Sequence, residues 1–134
     1  MSINQQATPH LPFKVEGITW HAVTLEPDAF EATKALMMQV FGLVPMMELE
    51  GIVVFAMPNG SIIELYLPHA TPPYGYNNAI AFGFRVDDIE AASQALAQAG
   101  YELLGEITRV ADLKYAFRHF RAKDGRVYGL NEQK

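Results

Sequence analysis

The sequence predicts an α+β domain made of two βαβββ modules that form a concave ligand cavity between them. Three observations carry this expectation. The order strand, helix, three strands occurs twice along the 134 residues. Each helical segment has one apolar stripe, enough to cover one face of a sheet and leave the other open. Each repeat carries the same turn signal before its last strand, Asn59-Gly60 in the first and Asp124-Gly125 in the second.

The elements follow in order. Residues 1–16 read as a tail, with an edge strand near 12–15. Residues 18–25 are rich in β-branched and aromatic types and read as a strand. Alternation along it puts Thr19, His21 and Val23 on one face, and Ile18, Trp20, Ala22 and Thr24 on the other. Asp28 followed by Glu31 resembles a capping box. Ala29, Phe30, Thr33, Leu36, Met37, Val40 and Phe41 then recur at helical spacing, and Gly42 stops the helix. Residues 43–49 form a strand bent at Pro45. Residues 52–57 and 61–67 form a hairpin across Asn59-Gly60. Residues 68–78, with three prolines, one glycine and two asparagines, are a linker. Its Tyr74 and Tyr76 either flank a ligand entrance or are ordinary loop residues. The pattern then restarts with a strand over 79–86 and a helix opened by Asp87 and Glu90. That helix has its stripe at Ile89, Ala92, Leu96 and Ala99 and its stop at Gly100. Strands over 102–110, 114–121 and 126–130 complete it. The expected organisation is a tail (1–16), a first module (17–67), a linker (68–78) and a second module (79–131).

Composition narrows the function. Half the residues are hydrophobic and 19% are charged, which is ordinary for a globular domain. The net charge of −5 with no basic run argues against nucleic acid as a partner. No apolar run reaches the roughly 20 residues of a membrane span. Residues 1–14 contain no apolar signal segment, so a cytoplasmic location is expected. With no cysteine there is neither a disulfide framework nor a thiol nucleophile.

The residue that stands out is Glu64. In the strand over 61–67, Ile63, Leu65 and Leu67 share a core-like face, while Ile62, Glu64 and Tyr66 share the other. A carboxylate in such a strand is costly to bury unless it is paired, hydrogen-bonded or metal-bound. The second face therefore reads as a cavity lining. The repeat also compares the chain with itself. His21 lies seven residues before Asp28, and its counterpart is Ile80 or Ala81. Glu64 lies four residues after Gly60, and its counterpart is Gly129.

Several segments occur together in a particular order: Trp20-His21-Ala22-Val23, Phe41-Gly42-Leu43, Asn59-Gly60-Ser61-Ile62-Ile63-Glu64-Leu65-Tyr66, Phe84-Arg85-Val86-Asp87-Asp88-Ile89, and Asp124-Gly125. In that order and spacing the chain resembles the vicinal oxygen chelate superfamily over roughly residues 17–131. That superfamily includes glyoxalase I, fosfomycin and bleomycin resistance proteins, and extradiol dioxygenases. The resemblance implies a divalent metal (Zn, Fe, Mn or Ni) held between the modules by the first and last strand of each. Those places are His21, Glu64, Ala81 and Gly129 here, so two of the four are competent. The family's Asp-Pro-Asp-Gly before the last strand is Ala122-Lys123-Asp124-Gly125 in this chain. By analogy with phosphonate-binding members, His119 looks into the cavity with Tyr115, Phe117 and Arg121. His21, Glu64 and His119 would be a two-His-one-carboxylate set; alternatively, His119 is a cavity-wall or surface histidine. Alternation places Arg85 on the cavity face, where it suits a carboxylate or phosphonate. Arg109, Arg118 and Arg121 read as solvated strand ends.

Two functions follow as expectations. The first is a metal-dependent lyase or dioxygenase, with Glu64 as its catalytic group and His21 and Glu64 as metal ligands. The second is a metal-free protein that binds or sequesters a drug or metabolite. Tyr66, Arg85, Tyr115, Phe117 and His119 are the ligand-binding residues, with Tyr74 and Tyr76 beside them. The resemblance and the open strand edges also imply a homodimer. His21 and Glu64 are expected to lie close enough to share a metal, a water or a hydrogen bond.

Overall fold

The computed structural model of the chain describes residues 11–134; of the tail assigned to 1–16, residues 1–10 lie outside the described residues. The first module runs β1 (Val15–Thr24), α1 (Pro27–Ala35), β2 (Pro45–Leu49), β3 (Ile52–Ala56) and β4 (Ile62–Tyr66). The second runs β5 (Ile80–Val86), α2 (Ile89–Gln98), β6 (Glu102–Val110), β7 (Tyr115–Arg121) and β8 (Val127–Gln133). All eight strands join in one mixed sheet of order β2-β3-β4-β1-β5-β8-β7-β6, curled into a half-barrel. In each module the last strand lies parallel to the first, β4 beside β1 and β8 beside β5. The two first strands meet antiparallel at the centre. The sheet thus has a pseudo-twofold between β1 and β5, as the sequence repeat requires.

The elements form for local reasons, some of which differ from the sequence expectation. β1 begins at Val15 rather than 18, because Val15 and Gly17 already pair with Val86 and Arg85 of β5, across register shifts between Val15 and Gly17 and between Ile18 and Trp20. The capping box at Asp28 is not formed. Glu26 is the N-cap without a side-chain bond, and Pro27, which has no N–H to satisfy, occupies the first turn. In α2 the cap is Asp88, whose carboxylate accepts from Ala91 N at 3.0 Å, and Asp87 accepts from Lys14 N instead. Beyond α1 the chain widens into a π-helical turn over Leu36–Val40, where Phe41 N donates to Leu36 O at 3.1 Å.

Both hairpins use one device. Gly60 N donates to Met57 O at 3.0 Å and Met57 N to Ser61 O at 2.8 Å; Gly125 N donates to Ala122 O at 3.0 Å and Ala122 N to Arg126 O at 2.9 Å. Only the glycines have positive φ, +88° and +84°, while Asn59 and Asp124 do not. These are three-residue loops ending in a left-handed glycine, not the two-residue turn that Asn-Gly suggests.

The helices cover the convex face. Phe30 of α1 packs on Val53, Phe55 and Leu65, with Met37 and Leu43 filling the flanks. Ile89 and Ala92 of α2 pack on Val86, Phe120 and Leu130. Val23 belongs to the cluster under α1, and this fixes the phase of β1: Val23 and His21 point to the convex side, while Trp20, Ala22 and Thr24 point to the concave side. The sequence expectation for that strand was the reverse. Burial by residue type suggests that an aromatic belongs under a helix, but here Trp20 is buried inside the curl of the sheet.

Candidate functional site on the concave face

β4 places Glu64 where alternation put it. Leu65 is fully buried beneath it, and Ile63 and Leu67 pack under α1. Glu64 Oε1 accepts two hydrogen bonds, from Trp20 Nε1 at 2.8 Å and from Tyr66 Oη at 2.9 Å. Among the described residues nothing donates to Oε2. Burial pushes the Glu64 carboxyl above the usual carboxylate range, opposed by the two donors. The group is thus held in position by one oxygen, and the other is left without a donor among the described residues.

Trp20 reaches Glu64 because the middle of the sheet is paved with small residues. Trp20 pairs with Gly83, and Gly83 with Gly129. A Cβ on Gly129 would lie 2.8 Å from the Trp20 ring, so the indole rests on bare backbone. His119 stacks on the same indole, with ring centroids 4.9 Å apart and planes at 30°. The linker folds over this pair. Tyr76 is 2% exposed and packs edge-on against Trp20 and Tyr66. Tyr74 Oη hydrogen-bonds His119 Nδ1. The linker is pinned by Asn77, which accepts from Val127 N at 2.7 Å and donates to Val127 O at 2.9 Å. The two linker tyrosines are therefore part of the site.

Burial lowers the His119 imidazole to about 4, so it is neutral at physiological pH. Burial likewise raises the phenols of Tyr66, Tyr76 and Tyr115, which stay protonated. Where Tyr74 is the donor to Nδ1, the neutral imidazole carries its proton on Nε2. A cavity of about 490 Å³ opens between the linker and β6–β7, walled by Pro72, Tyr74, Leu104, Phe117 and His119.

The other sequence-predicted residues divide. Phe117 continues the ring row, 5.8 Å from His119 and 6.0 Å from Tyr115. Arg85 lies two residues beyond Gly83 on the concave side, its Nε 3.4 Å from Glu16 Oε1, and that nitrogen is buried without a hydrogen bond. Beside it Asn131 donates to Thr19 at 3.0 Å. Arg109 pairs with Glu90, Arg121 with Glu102, and Arg118 donates to Gly105 O. His21 does not meet Glu64: it pairs across the sheet with Phe82 and Ile63 on the convex side, and its Nδ1 contacts Ile62 O at 3.0 Å. The residue that sequence reasoning missed is Trp20. Its signal was the indole N–H, which needs an acceptor when buried, together with the small residues opposite it.

The donor set does not fit a divalent ion. Glu64 is flanked by an indole and a phenol, both donors. Ala81 and Gly129 provide no ligating atom, and His21 points away. Among the described residues no three of His, Cys, Asp and Glu converge.

This architecture, two βαβββ units in one curled sheet with polar groups on the hollow side, defines a glyoxalase-type fold. The chain belongs to the Glyoxalase/Bleomycin resistance protein/Dioxygenase superfamily, whose model matches residues 21–127. Among solved structures, methylmalonyl-CoA epimerase from Mycobacterium tuberculosis is similar at 18% identity and a TM-score of 0.67, covering 97% of this chain and 94% of that one. The Mn(II)-bound glyoxalase from Novosphingobium aromaticivorans is similar at 19% identity and 0.68, covering 90% of this chain and 40% of that one. A superfamily member from Vibrio splendidus 12B01 is similar at 14% identity and 0.62, covering 87% and 98%. No curated protein matches the chain. No helix of the described residues is long and apolar enough to cross a membrane.

Proposed function

We propose that the concave face binds a small organic molecule that has an aromatic body and a cationic or N–H donor group, and that it does so without a metal. One observation carries this reading: a half-buried carboxylate with one oxygen engaged and the other open, set among aromatic rings. An elevated acid in an apolar hollow favours a ligand that brings its own positive charge or donor. On this reading Glu64 accepts from the ligand, and Trp20 and Tyr66 hold Glu64 in place. Tyr115 and Phe117 flank the ligand's body, His119 is a neutral wall, and Arg85 is available to an anionic end. His21 takes no part. The activity is therefore binding or sequestration rather than metal-assisted lyase or dioxygenase chemistry.

The chain's single tryptophan makes the test direct. Ligands of the stated class are expected to change Trp20 emission, and Glu64→Gln is expected to weaken them. Protein prepared without chelator is expected to carry substoichiometric metal. Stoichiometric Mn, Fe, Ni or Zn, lost in Glu64→Gln, would refute the reading.

We also infer that two copies pair through the first module. β2 is a sheet edge, and the stretch before it exposes Val40, Phe41 and Val44 at 71%, 60% and 81%.

A further inference from the structure

The convex side holds a second hollow that the concave-face reading does not use. A cavity of about 580 Å³ lies between α2 and the sheet, within the usual range of ligand pockets. Its floor is Phe82, Phe84, Phe120 and Tyr128, and its roof is Ala92 and Ala95. The walls are almost wholly carbon. The Tyr128 hydroxyl is turned to the rim, where it donates to Asp124 Oδ2 at 2.7 Å.

The fold does not require this space. The corresponding region under α1 is filled by Phe30, Met37 and Leu43. In the second module Ala92 and Ala95 face this space beside Leu96 and leave part of it open, and unfilled apolar volume costs stability. The hollow is also long. It follows β5 from Phe82 to Val86, four residues of extended strand or about 13 Å, and Phe13 and Val15 border its far end.

Its near end carries charge. Tyr101 forms part of the wall, and the Lys123 ammonium sits 5.2 Å from the centroid of that ring. Among the described residues Lys123 pairs with no carboxylate. Arg126 follows in the same turn, and the one carboxylate between them, Asp124, is engaged by Tyr128, so the rim carries two cations and one carboxylate on a chain of net charge −5.

We propose that this cleft is a second ligand site, for a monocarboxylate with an apolar body, its hydrocarbon beneath Ala92 and Ala95 and its carboxylate at Lys123. The site is independent of Glu64 and Trp20, on the opposite face of the sheet.

The test uses the full chain, the neutral fluorophore N-phenyl-1-naphthylamine, and decanoate or decanol as competitors. The fluorophore is expected to brighten and decanoate to displace it at lower concentration than decanol, and decanoate alone, without the fluorophore, to leave Trp20 emission unchanged. Ala95→Leu should abolish uptake of both while holding or raising the melting temperature, since leucine fills the gap. Lys123→Gln should weaken decanoate several-fold and leave the fluorophore alone. Should Ala95→Leu fail to fold by near-ultraviolet circular dichroism, decanoate-induced resonance shifts at Ala92 and Tyr128 decide instead. The proposal is overturned if the wild type takes up neither probe, or if a folded Ala95→Leu binds as the wild type does. It is also overturned if Lys123→Gln leaves decanoate unaffected, if those resonances do not move, or if decanoate shifts Trp20 emission. Uptake only after removal of residues 1–10 would make the chain's own tail the occupant. Loss of self-association in Ala95→Leu would make it a second copy. Either result rejects the ligand.

Discussion

The indole nitrogen of Trp20 lies 2.8 Å from Glu64 Oε1, joining β1 to β4 across the hollow side of the sheet. Tyr66 donates to the same oxygen from two residues along the strand. Because the acceptor is charged when ionised, both bonds are of the stronger kind.

Trp20→Phe removes one of those donors and puts a smaller aromatic ring in place of the indole. It is expected to destabilise the fold by about 1–3 kcal/mol, the cost of leaving a buried acceptor short of a partner. The Glu64 carboxyl should rise further. Urea denaturation followed by circular dichroism, at several pH values, measures both effects.

His119 makes stability depend on acid. Its folded value is about 4, below the unfolded one, so the unfolded chain takes up the proton first. The contribution is present in full above the unfolded value near 6.5, and declines as pH falls towards 4, by about 3 kcal/mol in all. Urea midpoints across that window should fall for the wild type and flatten for His119→Gln.

Glu64 titrates in the opposite sense. Its folded value is raised, so its neutral form favours folding and that contribution is lost as pH rises through the elevated value. Glu64→Gln keeps the shape and removes the charge. It should remove this component of the pH profile and weaken a cationic ligand more than it weakens the fold. An unchanged ligand affinity in titration calorimetry would contradict the assigned role of Glu64.

Asn77 holds the linker with a pair of hydrogen bonds to Val127 from a left-handed backbone, φ 65°. Asn77→Ala loses both bonds and the residue type that tolerates that conformation, so about 1–3 kcal/mol of local stability is expected to go. Faster amide exchange over residues 74–79, with little change at β3, would show the loss to be local.

Phe41→Glu or Val44→Lys should shift the chain towards monomer in sedimentation equilibrium without lowering its melting temperature. A wild type that is monomeric at micromolar concentration would remove the basis for pairing.

The repeat was legible because turns and helix stops are local: Gly60, Gly100 and Gly125 each sit at positive φ where the pattern placed them. Glu64 was legible for the same reason, since alternation within one short strand leaves little choice. The phase of β1 was not. A strand that alternates Thr-Trp-His-Ala-Val has large apolar residues on both faces, and only the packing of Val23 under α1 decides between them. Bulges near Gly17 and Thr19 further uncouple its start from its end. The role of Tyr76 was hidden differently. A linker tyrosine finds its place only once Ala22 and Ala81, 59 residues apart, are brought side by side beneath it.

A side chain at position 129 and the indole of Trp20 are mutually exclusive occupants of one space. A side chain at 129 able to ligate a metal would have to displace the indole, and the indole can lie flat only while 129 has no side chain. Restoring a metal centre by mutation therefore cannot proceed by adding ligands one at a time. A ligand placed at 129 would cost the packing of Trp20, and with it the hold on Glu64, before any ion could compensate. A ligand at position 129 and a smaller residue at position 20 would therefore have to arrive together.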